Sequence, residues 1–195
     1  LPEITWVQGL FPDARDYLDT YEKFGLLDGN GLYGHAIHLE PREIDRLRDV
    51  GAAVVHCPTS NTFIGSGLFD LMGLAKAGLS IGLATDTGGG SSFSMLRTMA
   101  AAYEIGQLRG TALHPAQLMW LATEGSAQAL HMPGHIGHLG AGAMADVTVL
   151  DLASTRAITQ RSARATDIWD ALFPTIMMGD DRAIRDVWVA GKRRG

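Results

Sequence analysis

Three apolar segments of this sequence each run into a side chain that can transfer protons or bind a metal ion. The first segment reaches His35 in YGHAIHL, the second reaches His56 and Cys57 in VVHCPTSN, and the third reaches Asp86 in GLATDTGGG. If the segments are parallel strands, their carboxyl ends meet at one edge of a sheet, where such folds place their active-site groups. A carboxylate and an imidazole at that edge could bind a divalent metal, or hold and deprotonate a water molecule.

Residue type alone ranks these candidates without deciding between them. Asp86 follows small and apolar residues and precedes three glycines, a poor position for a carboxylate that only packs. A histidine at a strand end, such as His35, is more often a hydrogen-bonded core residue than a ligand. His56 should face away from its neighbour and pack in the core, and Cys57 should be a small buried hydrophobe. The other histidines are expected to be surface or structural residues: His38, His114, His131, His135 and His138.

Helical and strand patterns alternate along most of the chain. Helices are predicted at 12–25, 41–51, 68–77, 93–108, 114–123 and 124–131, and strands at 31–37, 52–58 and 79–86. This rhythm predicts an α/β fold with a parallel sheet, either doubly wound or a (β/α)8 barrel. No G-x-G-x-x-G follows a strand, so the dinucleotide-binding version loses support. From about residue 138 a glycine-rich turn and alternating segments predict a small β layer.

Composition limits the classes of function. The net charge is −5, which argues against nucleic acid as a partner, and no apolar run approaches the ~18 residues that span a bilayer. The hydrophobic fraction of 46% and the charged fraction of 19% are ordinary for a soluble globular domain. A single cysteine cannot form an internal disulfide, which favours a reducing compartment such as the cytoplasm.

Five longer stretches match the motifs of a known enzyme superfamily, in the same order. They are GHAIHL (34–39), HCPTSNTFIGSGLFDL (56–71), GLATDTGGGSSFSML (82–96), LATEGSAQAL (121–130) and IGHLGAGAMADVTVLD (136–151). Together they resemble the metal-dependent amidohydrolase superfamily. The Thr-Asp pair and the late glycine-rich turn recur broadly there, whereas the second and third stretches are narrower and resemble the guanine deaminases.

The resemblance implies a fold and a role for the two strand-end residues. The family fold is a (β/α)8 barrel with a small β-sandwich built from both chain ends. Asp86 matches the eighth-strand acid, which is a metal ligand, contacts the substrate and accepts the proton of the attacking water. His35 matches the sixth-strand histidine, a catalytic residue that contacts the substrate. The resemblance also implies a Zn²⁺ cofactor, with iron as the alternative, a small purine substrate and a cytoplasmic homodimer.

The chain departs from the family in the metal ligands that it lacks. It has no H-x-H on a strand and no fifth-strand histidine with a nearby glutamate, and its 195 residues fall short of the about 250 of such a barrel. We therefore expect an α/β fragment. The C-terminal part of a (β/α)8 TIM barrel, about strands six to eight, should occupy 1–140. The C-terminal portion of a composite β-sandwich, with a helical return to the barrel, should occupy 141–195.

The implied parent reaction is the hydrolytic deamination of guanine to xanthine and ammonia. One alternative is another aminohydrolase of the superfamily, acting on a cytosine, adenosine-type or triazine ring. The other is a non-catalytic fragment. Because one carboxylate and one imidazole are too few ligands for zinc, the isolated chain should hold no tightly bound metal and should be inactive.

Overall fold

The computed structural model describes residues 2–194, which form ten α-helices and six β-strands. The helices are α1 (Pro2–Leu10), α2 (Tyr17–Lys23), α3 (Pro41–Val50), α4 (Pro58–Phe63), α5 (Leu71–Lys76), α6 (Met95–Leu108), α7 (Pro115–Ala122), α8 (Glu124–Ala129), α9 (Arg156–Ser162) and α10 (Ile168–Met178). The strands are β1 (Leu32–Gly34), β2 (Ala53–His56), β3 (Ser80–Leu83), β4 (Val147–Leu150), β5 (Ile184–Val189) and β6 (Lys192–Arg193). No helix in this part of the chain has the length and apolarity needed to cross a membrane.

A parallel sheet positions the strand-end residues, and its strand order β1-β2-β3 follows the chain. Leu32 lies opposite Ala53, which lies opposite Ser80. The central strand β2 is buried along its whole length, which explains its apolar composition, because both of its faces are covered. As all three strands run in the same direction, their carboxyl ends lie at one edge. The α/β class predicted from the alternating pattern is confirmed.

Capping groups in the sequence fix where the helix α3, between β1 and β2, and the helix α6, after β3, begin. Helix α3 begins at Pro41 with a capping box between Glu40 and Glu43 and ends at Gly51, which has φ 77°. Helix α6 begins where the Ser94 side chain accepts a hydrogen bond from the Arg97 backbone.

A second, antiparallel sheet of strand order β4-β5-β6 follows. Val147 lies opposite Trp188, which also lies opposite Arg193. Between β4 and β5 the chain forms α9 and α10, and α10 packs against α6 and α7. The β layer predicted after residue 138 is therefore present. Helix α10, in the connection between β4 and β5, joins this layer to the helices α6 and α7 that follow the parallel sheet.

The structure differs from the predicted elements at several boundaries. Residues 52–58 were predicted as one strand, but β2 ends at His56 and α4 begins at Pro58, which is favourable in the first turn of a helix. Helices α1, α4 and α9 were not predicted. Helix α10 was foreseen only as a helical return to the barrel, without bounds. Pro174, a residue that disfavours a helix interior, lies inside it.

Ion pairs join the N-terminal helix α2 and its cap to α3. Arg42 pairs with Asp16 and Glu22, and Arg15 pairs with Asp19. Asp19 is 1% exposed, and its hydrogen bonds from Arg15 lower the pKa of its carboxyl to about 2. The acidic groups here are thus satisfied by arginine, which indicates a structural role.

Candidate active site

The carboxyl ends of the three parallel strands bring His35, Cys57 and Asp86 together. One imidazole nitrogen, the Cys57 Sγ atom and one carboxylate oxygen all lie within 4.8 Å of one another. Nε2 of His35 is 3.7 Å from Oδ2 of Asp86. The side chains of His35 and Asp86 are 45% and 38% exposed, whereas Cys57 is buried. The imidazole and the carboxylate are therefore both accessible to a ligand at this edge.

The backbone is in an unusual conformation at both of these accessible residues. His35, Ala36 and Asp86 have φ values of 71°, 47° and 47°, in the left-handed region that residues with a Cβ rarely adopt. Such conformations persist only where the surroundings fix them, and they cluster at functional sites. Here the sheet anchors the first of them, because the His35 backbone N–H donates to Val55 O at 3.0 Å.

The glycines after Asp86 allow the chain to fold back onto it. A Cβ atom at Gly90 would lie 2.0 Å from Thr85 O, and one at Gly89 would lie 2.8 Å from Ser60 Oγ and 3.2 Å from Asp86 Oδ2. The Gly90 backbone N–H donates to Asp86 O. Only residues without a side chain fit these approaches. Gly89 and Gly90 are therefore explained by the close packing of this loop around the carboxylate, and Gly88 by its φ of 127°.

A side chain that the sequence analysis did not single out holds the imidazole. Oδ1 of Asn61 lies 2.8 Å from Nδ1 of His35, and Asn61 is fully buried on α4. The available signal was the polar run PTSN directly after a buried strand. It could not show the pairing, because the contact depends on where α4 begins.

His56, the last residue of β2, packs on Phe69, whereas Cys57, one residue further, lies in the cluster with His35 and Asp86. His56 is 1% exposed and stacks on Phe69, with ring centroids 4.5 Å apart. Burial lowers the pKa of its imidazole to about 3. Burial, with the negative charge of Asp86, raises the pKa of the Cys57 thiol. The expected core positions of both residues are confirmed, although the sequence did not show how near Cys57 lies to Asp86.

The remaining histidines lie away from this cluster in loop or capping positions. His38 Nε2 is 2.7 Å from Ser66 O. His114 caps α7, and the ring of His138 accepts a hydrogen bond from the Gly140 backbone. His131 and His135 are exposed. Their predicted surface or structural positions are confirmed.

The donor set suits part of a divalent metal site. A carboxylate oxygen and an imidazole nitrogen are both ordinary zinc ligands. The Cys57 thiol fits less well, because burial raises its pKa and so makes the thiolate, the form that binds metal, harder to form. The cluster therefore fits a metal through Asp86, with His35 beside it and further ligands from elsewhere.

The fold and the strand-end cluster together define an amidohydrolase. The model of the amidohydrolase family matches residues 2–194, so the chain belongs to this family. Its resemblance to the guanine deaminases is also confirmed. The chain is 38% identical to guanine deaminase of Escherichia coli over 190 residues, which cover 97% of this chain and 43% of that protein. It is 41% identical to a probable guanine deaminase of Deinococcus radiodurans, with 97% and 44% covered.

Solved structures agree with these sequence comparisons. The E. coli guanine deaminase structure superposes with a TM-score of 0.97 at 37% identity, covering 100% of this chain and 45% of that one. The guanine deaminase of C. acetobutylicum, which has guanine bound in its active site, gives a TM-score of 0.87 at 27% identity, with 100% and 46% covered. The chain thus spans less than half the length of the relatives that it matches.

Proposed function

We propose that this chain carries part of the active site of a guanine deaminase, which hydrolyses guanine to xanthine and ammonia. The observation that carries the proposal is the approach of His35 Nε2 and Asp86 Oδ2 to 3.7 Å at the accessible edge of the sheet. The similarity to guanine deaminases supports guanine as the substrate. The same similarity supports the assignment of the complete protein as a hydrolase that acts on small molecules.

Asp86 would hold the metal, which we propose to be zinc with iron as the alternative. When bound, a divalent cation lowers the pKa of a water molecule towards ~7 and so supplies a nucleophile at neutral pH. Asp86 Oδ2 would accept a proton from the attacking water. His35 Nε2, on the other side of the same space, stabilises the charge that develops where the amine leaves the ring.

We propose that the chain is the C-terminal part of a (β/α)8 TIM barrel with part of a β-sandwich. In this proposal β1, β2 and β3 are barrel strands six, seven and eight, within 1–140. The antiparallel sheet belongs to the composite sandwich within 141–195, and α10 is the helical return that packs on α6. The parallel direction of the three strands and their order β1-β2-β3 support this placement. A cytoplasmic homodimer completes the proposal, and size-exclusion chromatography with light scattering tests its oligomeric state.

The test is turnover by the complete polypeptide that contains this chain. Guanine should be converted to xanthine with release of one ammonia, while cytosine, adenosine and an aminotriazine should be poor substrates. Preference for one of these other rings would replace guanine with that substrate. Absence of turnover on all four would favour the non-catalytic alternative.

A substitution of Asp86 tests its role in that reaction. Asp86→Asn keeps a carbonyl oxygen but loses the base and the negative charge, so kcat should fall at least ~10²-fold. The matched control is Asp181→Asn, because Asp181 is an exposed acid in the 3-10 turn before β5. Near wild-type guanine turnover by Asp86→Asn would make Asp86 a structural residue.

A further inference from the structure

We propose that the cavity beside His56 is a hydration site, in which an internal water molecule binds Nδ1 of the His56 imidazole. The cavity lies between the end of β2, the start of α5 and the C-terminal half of α6, and its volume is about 60 Å³. A single internal water requires ~10–15 Å³ of free volume. The cavity therefore has room for more than one water molecule. This inference is independent of the proposed function, because it concerns the core and uses no residue of the strand-end cluster.

The imidazole of His56 needs a hydrogen-bond partner that residues 2–194 do not supply. Its Nδ1 atom is buried and has no partner among them, and the whole residue is 1% exposed. Phe69 stacks on one face of the ring, with centroids 4.5 Å apart, so the ring nitrogens remain free to bond in the plane of the ring. Burying a polar atom without a partner is costly. Because His56 lines the cavity, we expect its partner there.

The chemistry of the imidazole favours water over an ion or an apolar guest. A neutral imidazole has one nitrogen that donates and one that accepts. Water can both accept and donate, so it satisfies Nδ1 in either tautomer, whereas a bare cation or anion satisfies only one of them. An apolar guest would leave Nδ1 without a partner. Cavities that stay dry or take up apolar guests are lined by apolar groups, and the cavity beside His56 is not.

The solvent-facing side of the cavity supplies the further partners that an internal water needs, usually about three. Oδ2 of Asp70 lies 2.9 Å from Nη2 of Arg109, and both side chains line the cavity. They are 50% and 36% exposed, so this ion pair lies between the cavity and solvent. The carboxylate accepts, the guanidinium donates, and the hydroxyl of Thr111, also in the lining, can do either. The water on His56 can therefore connect to these groups directly or through a second water molecule.

A high-resolution crystal structure of the complete polypeptide tests the site directly. It should show water density at a hydrogen-bonding distance, roughly 2.7–3.2 Å, from Nδ1 of His56. In solution, ¹⁷O relaxation dispersion of water should count at least one more long-lived internal water in the wild-type protein than in His56→Phe. This variant keeps an aromatic ring to stack on Phe69 but has no ring nitrogen. Crystals of the wild-type protein under xenon pressure should take up no xenon in this cavity, because xenon occupies apolar cavities.

Thr98→Val is the matched control, because Thr98 is a buried residue of α6 outside the lining of the cavity, and its hydroxyl donates to Ser94 O in the first turn of the helix. It should keep the wild-type number of internal waters. Four results would overturn the proposal: an empty cavity, xenon in the wild-type cavity, another protein group bonded to His56 Nδ1, or an unchanged number of internal waters in His56→Phe. If His56→Phe does not fold, the wild-type crystal structure and the xenon experiment decide.

Discussion

The buried imidazole of His56 should make the fold sensitive to mild acid. Its pKa is about 3 in the fold because burial disfavours the charged form, against an ordinary value of 6.5. The unfolded chain therefore binds a proton as the pH falls below 6.5, and the fold does not. The free energy of unfolding is therefore unaffected by His56 above pH 6.5 and decreases as the pH falls from 6.5 towards 3.

The size of this effect follows from the two pKa values. pH 5 is about 1.5 units below the ordinary histidine pKa of 6.5. At that pH, protonation of His56 therefore stabilises the unfolded chain relative to the fold by about 2 kcal/mol, at ~1.4 kcal/mol per unit. The buried carboxylates contribute in a lower range, because the pKa of Asp19 falls from 3.8 to about 2 and its stabilisation is lost only below about pH 4. The interval from pH 7 to pH 5 thus isolates His56 from Asp19.

Urea unfolding of the metal-free complete polypeptide, followed by tryptophan fluorescence at pH 7, 6 and 5, measures this loss. His56→Gln cannot titrate and should flatten the decline, although it should be less stable at pH 7. His135→Gln, at an exposed histidine, should keep the wild-type decline. A wild-type free energy of unfolding that is constant from pH 7 to pH 5, or an equal decline in His56→Gln, would refute the reasoning.

Three further outcomes are expected. Gly90→Ala should abolish most turnover and destabilise the fold by roughly 1–3 kcal/mol, because its Cβ would lie 2.0 Å from Thr85 O. Turnover and urea unfolding measure the two effects. The control Gly9→Ala should change neither, because a Cβ at Gly9 in α1 would have nothing within 4 Å. The chain of 195 residues alone should hold no stoichiometric zinc after dialysis, as elemental analysis can check. The same chain alone should aggregate or lack a cooperative melt, because unpaired parallel strand edges recruit other chains; a monodisperse, sharply melting monomer in chromatography and circular dichroism would contradict this.

The sequence was sufficient for the α/β fold class and for the expectation that His35 and Asp86 lie together at one edge of the sheet. Strand ends can be predicted from apolar runs, and in a parallel sheet the carboxyl ends meet at one edge. The sequence alone therefore predicted that His35 and Asp86 lie together. The two-residue strand period likewise separated His56 from Cys57. These predictions depend on local periodicity, which a single sequence carries.

The contacts across the fold could not be predicted in the same way. Asn61 reaches His35 only because α4 begins at Pro58, which the sequence analysis placed at the end of a strand. The positive φ values of His35 and Asp86 were also unexpected, because glycine is the usual residue there and glycines stand nearby. Both features arise from tertiary constraints that override the local preference of each residue.

The strand order β1-β2-β3 also has a consequence for how the chain emerges during synthesis. Each strand pairs with the strand made just before it, roughly two dozen residues earlier along the chain. When β2 emerges from the ribosome, its partner β1 has already emerged, and when β3 emerges, its partner β2 is available for pairing. The antiparallel sheet behaves differently, because β4 must wait for α9 and α10 to be made before β5 arrives. A pause in translation before β5 would leave β4 exposed, whereas a pause after β3 would not interrupt any pair of the parallel sheet.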